Sequence, residues 1–278
     1  MNKDKLISLC HKISLETGLT FNSILTYYFL EKFLEKLSES IYNDNFIFKG
    51  GYILSNIVGL ESRSTVDIDM LIKNTTLDEA KVFTIITDVI KYKPKDVIEY
   101  ELLDIIEIKK EGSYGGYRVR ISCKLDNIRQ VIPLDLATGD IITYKPIEYE
   151  YKRIFSEESL NIKAYNLETM LAEKLETIYS KGMLNSRSKD FYDVHLLYNI
   201  KKSDIDFANL AVACERTFKQ RNTPLDSQNL KDLLEILRID QGFNGRWKAY
   251  ASKNAYVDDC SFDNVIESIK HLLRATFG

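Results

Sequence analysis

The sequence of 278 residues predicts an α+β fold, in which a mixed sheet with flanking helices precedes an α-helical C-terminal domain. Three stretches carry this prediction. Apolar residues recur at helical spacing over residues 3–41, short β-branched runs begin at Phe46, and helical spacing returns after about residue 160. We therefore expect a first domain over residues 1–160 and a second, helical domain over residues 161–278.

Local signals place each element of the first domain. Gly18 and Thr20 interrupt the helical lead-in, because glycine commonly ends a helix and threonine commonly caps the start of the next. The elements that follow are, in order, a strand over 46–48, a turn at Gly50 and Gly51, a helix over 52–59, a strand over 66–72, a helix from a capping box at Thr76 to about residue 91, a hairpin of strands 97–110 and 117–124, and a strand over 130–137.

The second domain carries the signals of consecutive helices. Asn166 is a favourable N-cap for a helix that ends at Gly182, and Ser188 begins another helix. Three or four further helices are expected before the C-terminus. The chain has no internal repeat and no low-complexity linker.

Composition and the length of apolar runs limit which partners and which cellular compartment are expected. Lys+Arg 38 against Asp+Glu 41 leaves a formal charge of −3, so a nucleic-acid partner would need a local basic patch. The four cysteines are too far apart in sequence for a zinc site. The early apolar run is too short for a signal-peptide core, and no apolar stretch reaches the roughly 18 residues of a membrane span. We therefore expect a cytoplasmic protein with no membrane partner.

The strongest chemical signal is the pair Gly50-Gly51, followed after fifteen intervening residues by Asp67-Ile68-Asp69. On a strand, period two places both aspartates on one face and Ile68 on the other. Two close carboxylates repel unless a cation neutralises them, and hard oxygen ligands suit Mg²⁺. Glycines at the start of a helix would let backbone N–H groups approach a triphosphate. The alternative is that the aspartates line a solvent-exposed edge strand and the glycines form only a turn.

Asp135 is a third candidate carboxylate, inside the apolar run Val131 to Ala137. An aspartate in an apolar strand needs a polar partner, and a nearby metal ion would supply one. The alternative is an aspartate whose carboxylate is satisfied by another side chain at the strand end.

Two helices of the second domain carry a further charged group. Lys174 lies at the edge of the apolar stripe of its helix, while Asp190 and Asp193 are three residues apart and share a face. Asp193 is too deep in its helix to be a cap, so we expect it to contact Lys174. The alternatives are an exposed lysine and an Asp190 that only stabilises the helix N-terminus.

Four motifs resemble those of the AbiEii/AbiGii toxin family, which belongs to the DNA polymerase β-like nucleotidyltransferase superfamily. They occur in the family's order and occupy residues 49–72, 132–140, 168–177 and 187–194. Tyr52 departs from the pattern, because the family usually has a small Thr or Ser after the glycines.

The resemblance implies a nucleotidyltransferase-like sheet domain and a toxin of a type IV toxin–antitoxin system in phage defence. It implies transfer of NMP from an NTP to an acceptor hydroxyl, first of all a tRNA 3′ end, with two Mg²⁺ ions and a separately encoded antitoxin that forms no stable complex. The implied residues are catalytic Asp67, Asp69, Lys174 and Asp193, nucleotide-binding Gly50, Gly51, Arg63, Ser64 and Asp190, and metal-binding Asp67, Asp69 and Asp135.

Two alternatives to transfer onto tRNA stay open: transfer of NMP to a protein or small molecule, and an NTP-binding regulatory module without turnover. A tRNA acceptor would need a basic surface, and the second domain offers two clusters. They are Arg216, Lys219 and Arg221, and Arg246 and Lys248 with Trp247 between them. Interleaved basic and aromatic residues can bind RNA by charge and stacking. The alternative is a solvated helix face.

Overall fold

The computed structural model describes residues 1–73, 77–92, 97–108, 115–257 and 260–278. Contacts between residues divide the chain into two units. The first unit consists of Met1–Asp140 and Pro146–Ala164, and the second of Ile141–Lys145 and Tyr165–Gly278. The boundary expected after residue 160 falls inside a strand of the first unit, so it comes slightly before the division between the units.

The first unit combines helices with a mixed sheet, as the sequence predicts. Its helices are α1 (Lys3–Thr17), α2 (Phe21–Ser38), α3 (Gly50–Val58) and α4 (Glu79–Lys91). Its strands are β1 (Phe46–Lys49), β2 (Ile68–Ile72), β3 (Glu99–Ile108), β4 (Gly116–Leu125), β5 (Ile128–Ala137), β6 (Ile147–Lys152) and β7 (Ser159–Ala164). In the described residues these strands form one seven-stranded sheet in the order β3-β4-β5-β2-β1-β7-β6.

Parallel and antiparallel pairs both occur at the centre of the sheet. β2 runs antiparallel to β1 and parallel to β5, and β1 runs parallel to β7. Helix α2 packs on β5 and β7, while α3 packs on β1 and β2. The side chains of Phe46, Phe48, Ile68 and Met70 are buried, so these two central strands are held rigidly in the core.

The break in the helical lead-in is confirmed. Helix α1 ends at Gly18, which has a left-handed φ of 71° and donates its N–H to the carbonyl of Ser14. Helix α2 starts after Thr20, whose side chain accepts a hydrogen bond from the N–H of Ser23. Gly18 thus ends one helix through its left-handed backbone, and Thr20 caps the next through its hydroxyl.

Several details differ from the sequence prediction. The two glycines are the first residues of α3 rather than a separate turn, and β2 begins at Ile68, so Asp67 immediately precedes the strand. Helix α4 is capped by Asp78, whose side chain accepts from the N–H of Lys81. Thr76 lies outside the described residues. Strands β6 and β7 were not expected, although polar and apolar residues alternate in both six-residue segments, as is typical of a strand.

The second unit is helical throughout its longer segment. Its helices are α5 (Leu167–Lys181), α6 (Ser188–Lys201), α7 (Phe207–Gln220), α8 (Ser227–Ile239), α9 (Gln241–Ala251) and α10 (Phe262–Phe277). Asn166 caps α5, α5 ends at Gly182 and α6 begins at Ser188, which confirms these three predictions. In the part of the chain that the structure describes, no helix is both long and apolar enough to cross a membrane.

Candidate active site

Four charged side chains form a row across the central strands of the first unit. Lys49 on β1 is the register partner of Asp69 on β2, and Asp69 is the register partner of Asp135 on β5. Asp135 is in turn opposite Arg118 on β4. Register partners project from the same face of a sheet. Two carboxylates therefore lie side by side between two cations, and all four side chains line a pocket of about 440 Å³.

Asp67 adds a third carboxylate near this row. It is exposed and lies two residues before the half-buried Asp69, while Ile68 between them is buried. The pKa of Arg118 is raised above its ordinary value, first by hydrogen bonds to Asp135 and by its charge, and further by the charges of Asp67 and Asp69. All three predicted metal-binding carboxylates therefore act on one guanidinium group.

Arg118 pairs with Asp135 through both carboxylate oxygens. Its Nε lies 2.7 Å from Oδ1 and its Nη2 lies 2.7 Å from Oδ2. This pair corresponds to the alternative in which Asp135 is satisfied by another side chain. Within the described ranges, no three His, Cys, Asp or Glu side chains are placed to hold a metal ion together. Both carboxylate oxygens of Asp135, the third member of the predicted set Asp67, Asp69 and Asp135, are thus engaged by Arg118, and metal binding by these residues remains a prediction.

A second ion pair at the pocket was missed by sequence reasoning. The Lys49 amine contacts the carboxylate of Asp140, and the two side chains are only 7% and 14% exposed. Lys49 also occupies the N-cap position of α3, but its side chain makes no capping hydrogen bond. The sequence feature that could have indicated this ion pair is the position of Lys49, a charged residue directly before the two glycines. The pair places a buried cation next to Asp69 at the start of the helix.

Gly50 meets two requirements that other residues do not. Its φ of +70° lies in the left-handed region, and a Cβ atom at this position would overlap the carboxylate of Asp69. At Gly51, a Cβ atom would lie 2.9 Å from Cγ2 of Thr65 and 3.2 Å from Nη2 of Arg63. The Asp69 carboxylate therefore lies so close to the start of α3 that a residue with a Cβ atom would not fit at position 50.

Replacing Gly50 by Ala is expected to displace the Asp69 carboxylate and to destabilise the first unit. Gly18→Ala is a matched control, because Gly18 has nearly the same φ of +71° but no neighbouring atom within 4 Å of the added Cβ. The control should lose about 1 kcal/mol of unfolding free energy from backbone strain alone. Gly50→Ala should lose about 1–3 kcal/mol more. Urea unfolding measures both, and equal losses would contradict this geometry.

Hydrogen bonds of buried side chains hold the segment between α3 and β2 in place. Arg63 is only 4% exposed, and its Nη1 donates to the carbonyl of the half-buried Ser64. The N–H of Thr65 donates to the Tyr27 hydroxyl over 2.9 Å. The structure therefore places the Arg63 guanidinium beneath Gly51 and leaves the nucleotide contacts of Arg63 and Ser64 as predictions.

Tyr52, the departure from the family pattern, points into the interior. Its side chain is buried, and its hydroxyl lies 2.7 Å from that of Tyr151, which in turn lies 3.2 Å from Oε1 of Glu31. The bulky ring therefore fills the core below α3. A phosphate contact at this position would have to come from the backbone.

Glu31 is the titratable end of this hydrogen-bonded chain. The N–H groups of Ile154 and Phe155 donate to its two carboxylate oxygens over 2.6 Å and 3.2 Å. Burial nevertheless raises the pKa of Glu31 to about 7, against the opposing effects of these N–H groups and of the Arg153 charge.

Glu31→Gln is expected to reduce the loss of stability as pH rises. The unfolded carboxyl has an ordinary pKa of 4.5, so the folded state holds an extra proton between pH 4.5 and about 7, and the unfolding free energy falls across this window. Glutamine should remove up to about 3 kcal/mol of that fall. Urea unfolding at about pH 4 and about pH 8 measures the difference. Equal pH slopes in the two proteins would contradict the raised pKa.

The second unit holds a cluster of four charged side chains, of which Lys174, Asp190 and Asp193 are largely buried and Arg187 is 49% exposed. Nζ of Lys174 lies 2.5 Å from Oδ2 of Asp193 and 3.5 Å from Oδ1 of Asp190. Nε of Arg187 lies 2.6 Å from Oδ2 of Asp190. The predicted contact between Lys174 and Asp193 is therefore confirmed. Asp190 has both oxygens engaged by cations, and its predicted contact with a nucleotide remains a prediction.

The basic clusters of the second unit differ from the expected RNA surface. Trp247 is only 4% exposed and donates its Nε1–H to the carbonyl of Cys260, so the prediction of an aromatic ring interleaved for stacking is wrong. Arg221 contacts Glu173 and Glu176. The exposed basic side chains that remain are Arg216, Lys219 and Lys248.

Comparisons with known structures support the fold. Two solved structures share the fold: JHP933 from Helicobacter pylori, at 13% identity and a TM-score of 0.56 over 93% of both chains, and an H. pylori protein described as a nucleotidyltransferase, at 14% identity and a TM-score of 0.51 over 93% of this chain and 96% of the other. Among curated proteins none matches the sequence.

The family comparison covers most of the chain, including every candidate site residue. Residues 32–268 match the family described as "Nucleotidyl transferase AbiEii toxin, Type IV TA system". The protein therefore belongs to the AbiEii family of nucleotidyltransferase toxins of type IV toxin–antitoxin systems.

Proposed function

We propose that the protein transfers NMP from an NTP to an acceptor hydroxyl, with release of pyrophosphate, at the pocket of the first unit. One observation carries the proposal: Asp69 and Asp135 lie side by side on rigid strands, directly below a helix that starts with two glycines. Anions bind well at such helix N-termini, because backbone N–H groups point outward there. The start of a helix thus lies next to one of two carboxylates that line the pocket, which supports triphosphate binding there.

The donor set fits a divalent cation such as Mg²⁺. Asp67, Asp69 and Asp135 supply hard oxygen ligands, and the same carboxylates already attract the guanidinium of Arg118. Asp67 and Asp69 would hold the metal, with Asp135 as a third ligand. A bound divalent cation would neutralise phosphate charge and lower the pKa of the acceptor hydroxyl.

Residues of the chain itself would bind the triphosphate and neutralise its charge. The backbone at Gly50 and Gly51 would orient the triphosphate, and Lys49, fixed by Asp140, would add a positive charge beside Asp69. From the family motif we infer that Lys174 neutralises charge on the phosphates and that Asp193 orients the lysine. The contact between Lys174 and Asp193 supports the second role.

The acceptor that we propose is the 3′ end of tRNA, with an antitoxin that acts without a stable complex. The experiment incubates the protein with Mg²⁺, total tRNA and each α-labelled NTP in turn, with Asp69→Asn as the inactive control. Label in tRNA with the wild type alone is the expected result. Label in a protein or in a small molecule instead would show that tRNA is not the acceptor. Label in no product would contradict the transfer activity.

A further inference from the structure

We propose that Arg118 is the resident counter-ion of the aspartate site, and that a divalent cation binds at Asp135 only by displacing its guanidinium group. The inference rests on the proposed function, because it assumes that these carboxylates hold the metal. It adds an element that the metal-ligand set lacks, namely a protein cation that competes with the metal.

The geometry of the ion pair carries the first step. The guanidinium forms two parallel hydrogen bonds of 2.7 Å to the two oxygens of Asp135. This planar arrangement is the strongest that arginine makes with a carboxylate. A divalent cation bound to Asp135 in the same position would lie within a few ångströms of a positive charge. Arg118 must therefore move when Asp135 becomes a ligand.

The charges around the guanidinium carry the second step. The charges of Asp67 and Asp69 also act on Arg118. All three carboxylates thus attract this guanidinium, which reduces their mutual repulsion when no metal is bound. Loss of Arg118 would remove this compensation and leave more of the repulsion to be neutralised by the metal.

The exposure of the pair allows the exchange. The Arg118 side chain is 49% exposed and that of Asp135 is 24% exposed. Water can solvate both groups at such a partly exposed site, so separating the pair costs less than it would in the interior. Arg118 also lines the pocket, and a released guanidinium would face the triphosphate, whose oxygens suit the same planar donor group.

The same strand provides a matched control. Arg120 lies two residues after Arg118 on the same face of β4, forms an ion pair with Asp104 and is also 49% exposed. Its register partner on β5 is Pro133 rather than a carboxylate. Arg120→Met therefore removes an equivalent charge and ion pair without changing the aspartate site.

The test is a titration of the purified protein with Mn²⁺, in which free Mn²⁺ is measured by electron paramagnetic resonance. Arg118→Met should bind Mn²⁺ at least about tenfold more tightly than the wild type, because the competing charge-assisted bonds are gone. Arg120→Met should bind like the wild type. Combining Asp135→Asn with Arg118→Met should abolish the gain.

Equal or weaker Mn²⁺ binding by Arg118→Met would overturn the proposal. Arg118→Lys is the second variant: it keeps the charge but loses the planar pair, and its affinity should fall between those of Arg118→Met and the wild type. A wild type that neither binds Mn²⁺ nor transfers NMP would contradict the proposed function itself. A wild type that does both, with no gain in Arg118→Met, contradicts only the role of Arg118.

Discussion

Asp69→Asn is expected to lower the rate of NMP transfer at least about a thousandfold and to leave the fold intact. Asp69 lies between Lys49 and Asp135 in the charged row and next to Gly50, so its carboxylate is where metal, triphosphate and helix N-terminus would meet. Removing one of two adjacent carboxylates also relieves their repulsion, and stability should not fall. The measurement is the initial rate of incorporation from α-labelled NTP, together with the thermal unfolding midpoint.

Asp104→Asn is the control for this variant. Asp104 is a carboxylate of the same sheet that forms an ion pair with an arginine, Arg120, away from the pocket. It should retain the wild-type rate. A wild-type rate of incorporation in a soluble Asp69→Asn protein would show that the carboxylate pair is not required for the transfer.

Asp193→Ala is expected to lower the unfolding free energy of the second unit by about 3–5 kcal/mol. Asp193 is 1% exposed and its Oδ2 lies 2.5 Å from the Lys174 amine, which is itself 11% exposed. Truncation would leave the lysine charge buried, with the more distant Asp190 carboxylate as partial compensation. Trp247, the single tryptophan, is buried in this unit against Tyr192 of α6 and reports its unfolding by fluorescence.

A double variant separates charge from packing at this position. Lys174→Met combined with Asp193→Leu replaces the buried ion pair by apolar side chains and should recover most of the lost stability. A loss below about 1 kcal/mol in Asp193→Ala, the value of an exposed pair, would show that the cluster is not a buried one.

Elements with strong local signals could be predicted from the sequence. Gly18, Thr20 and Asn166 each act through their own side chain or backbone freedom, so no distant residue is needed to place them. Strands β6 and β7 are different, because they pair only with each other and with β1, which is far away in the sequence. Polar and apolar side chains alternate in both segments, but over only six residues this strand signal is weak until the pairing is known.

In the candidate site, too, local features could be predicted from the sequence and long-range contacts could not. The pattern of glycines and Asp67-Ile68-Asp69 is local, and it predicted one half of the carboxylate pair together with its neighbouring helix. The contact of Arg118 with Asp135 depends on β5 inserting between β2 and β4, which is a property of the strand order. Trp247 was misjudged for a related reason: a ring between two basic residues can be buried or exposed, and tertiary packing decides which.

Nucleotidyl transfer requires that the protein cleave an NTP between its α and β phosphates and transfer the NMP group. The most direct measurement follows both ends of the triphosphate in parallel reactions, one with α-labelled and one with γ-labelled NTP. We expect the α label to enter the acceptor at the same rate as the γ label enters pyrophosphate, and Asp69→Asn to abolish both. Appearance of the γ label on the acceptor or in free phosphate, without incorporation of the α label, would contradict nucleotidyl transfer.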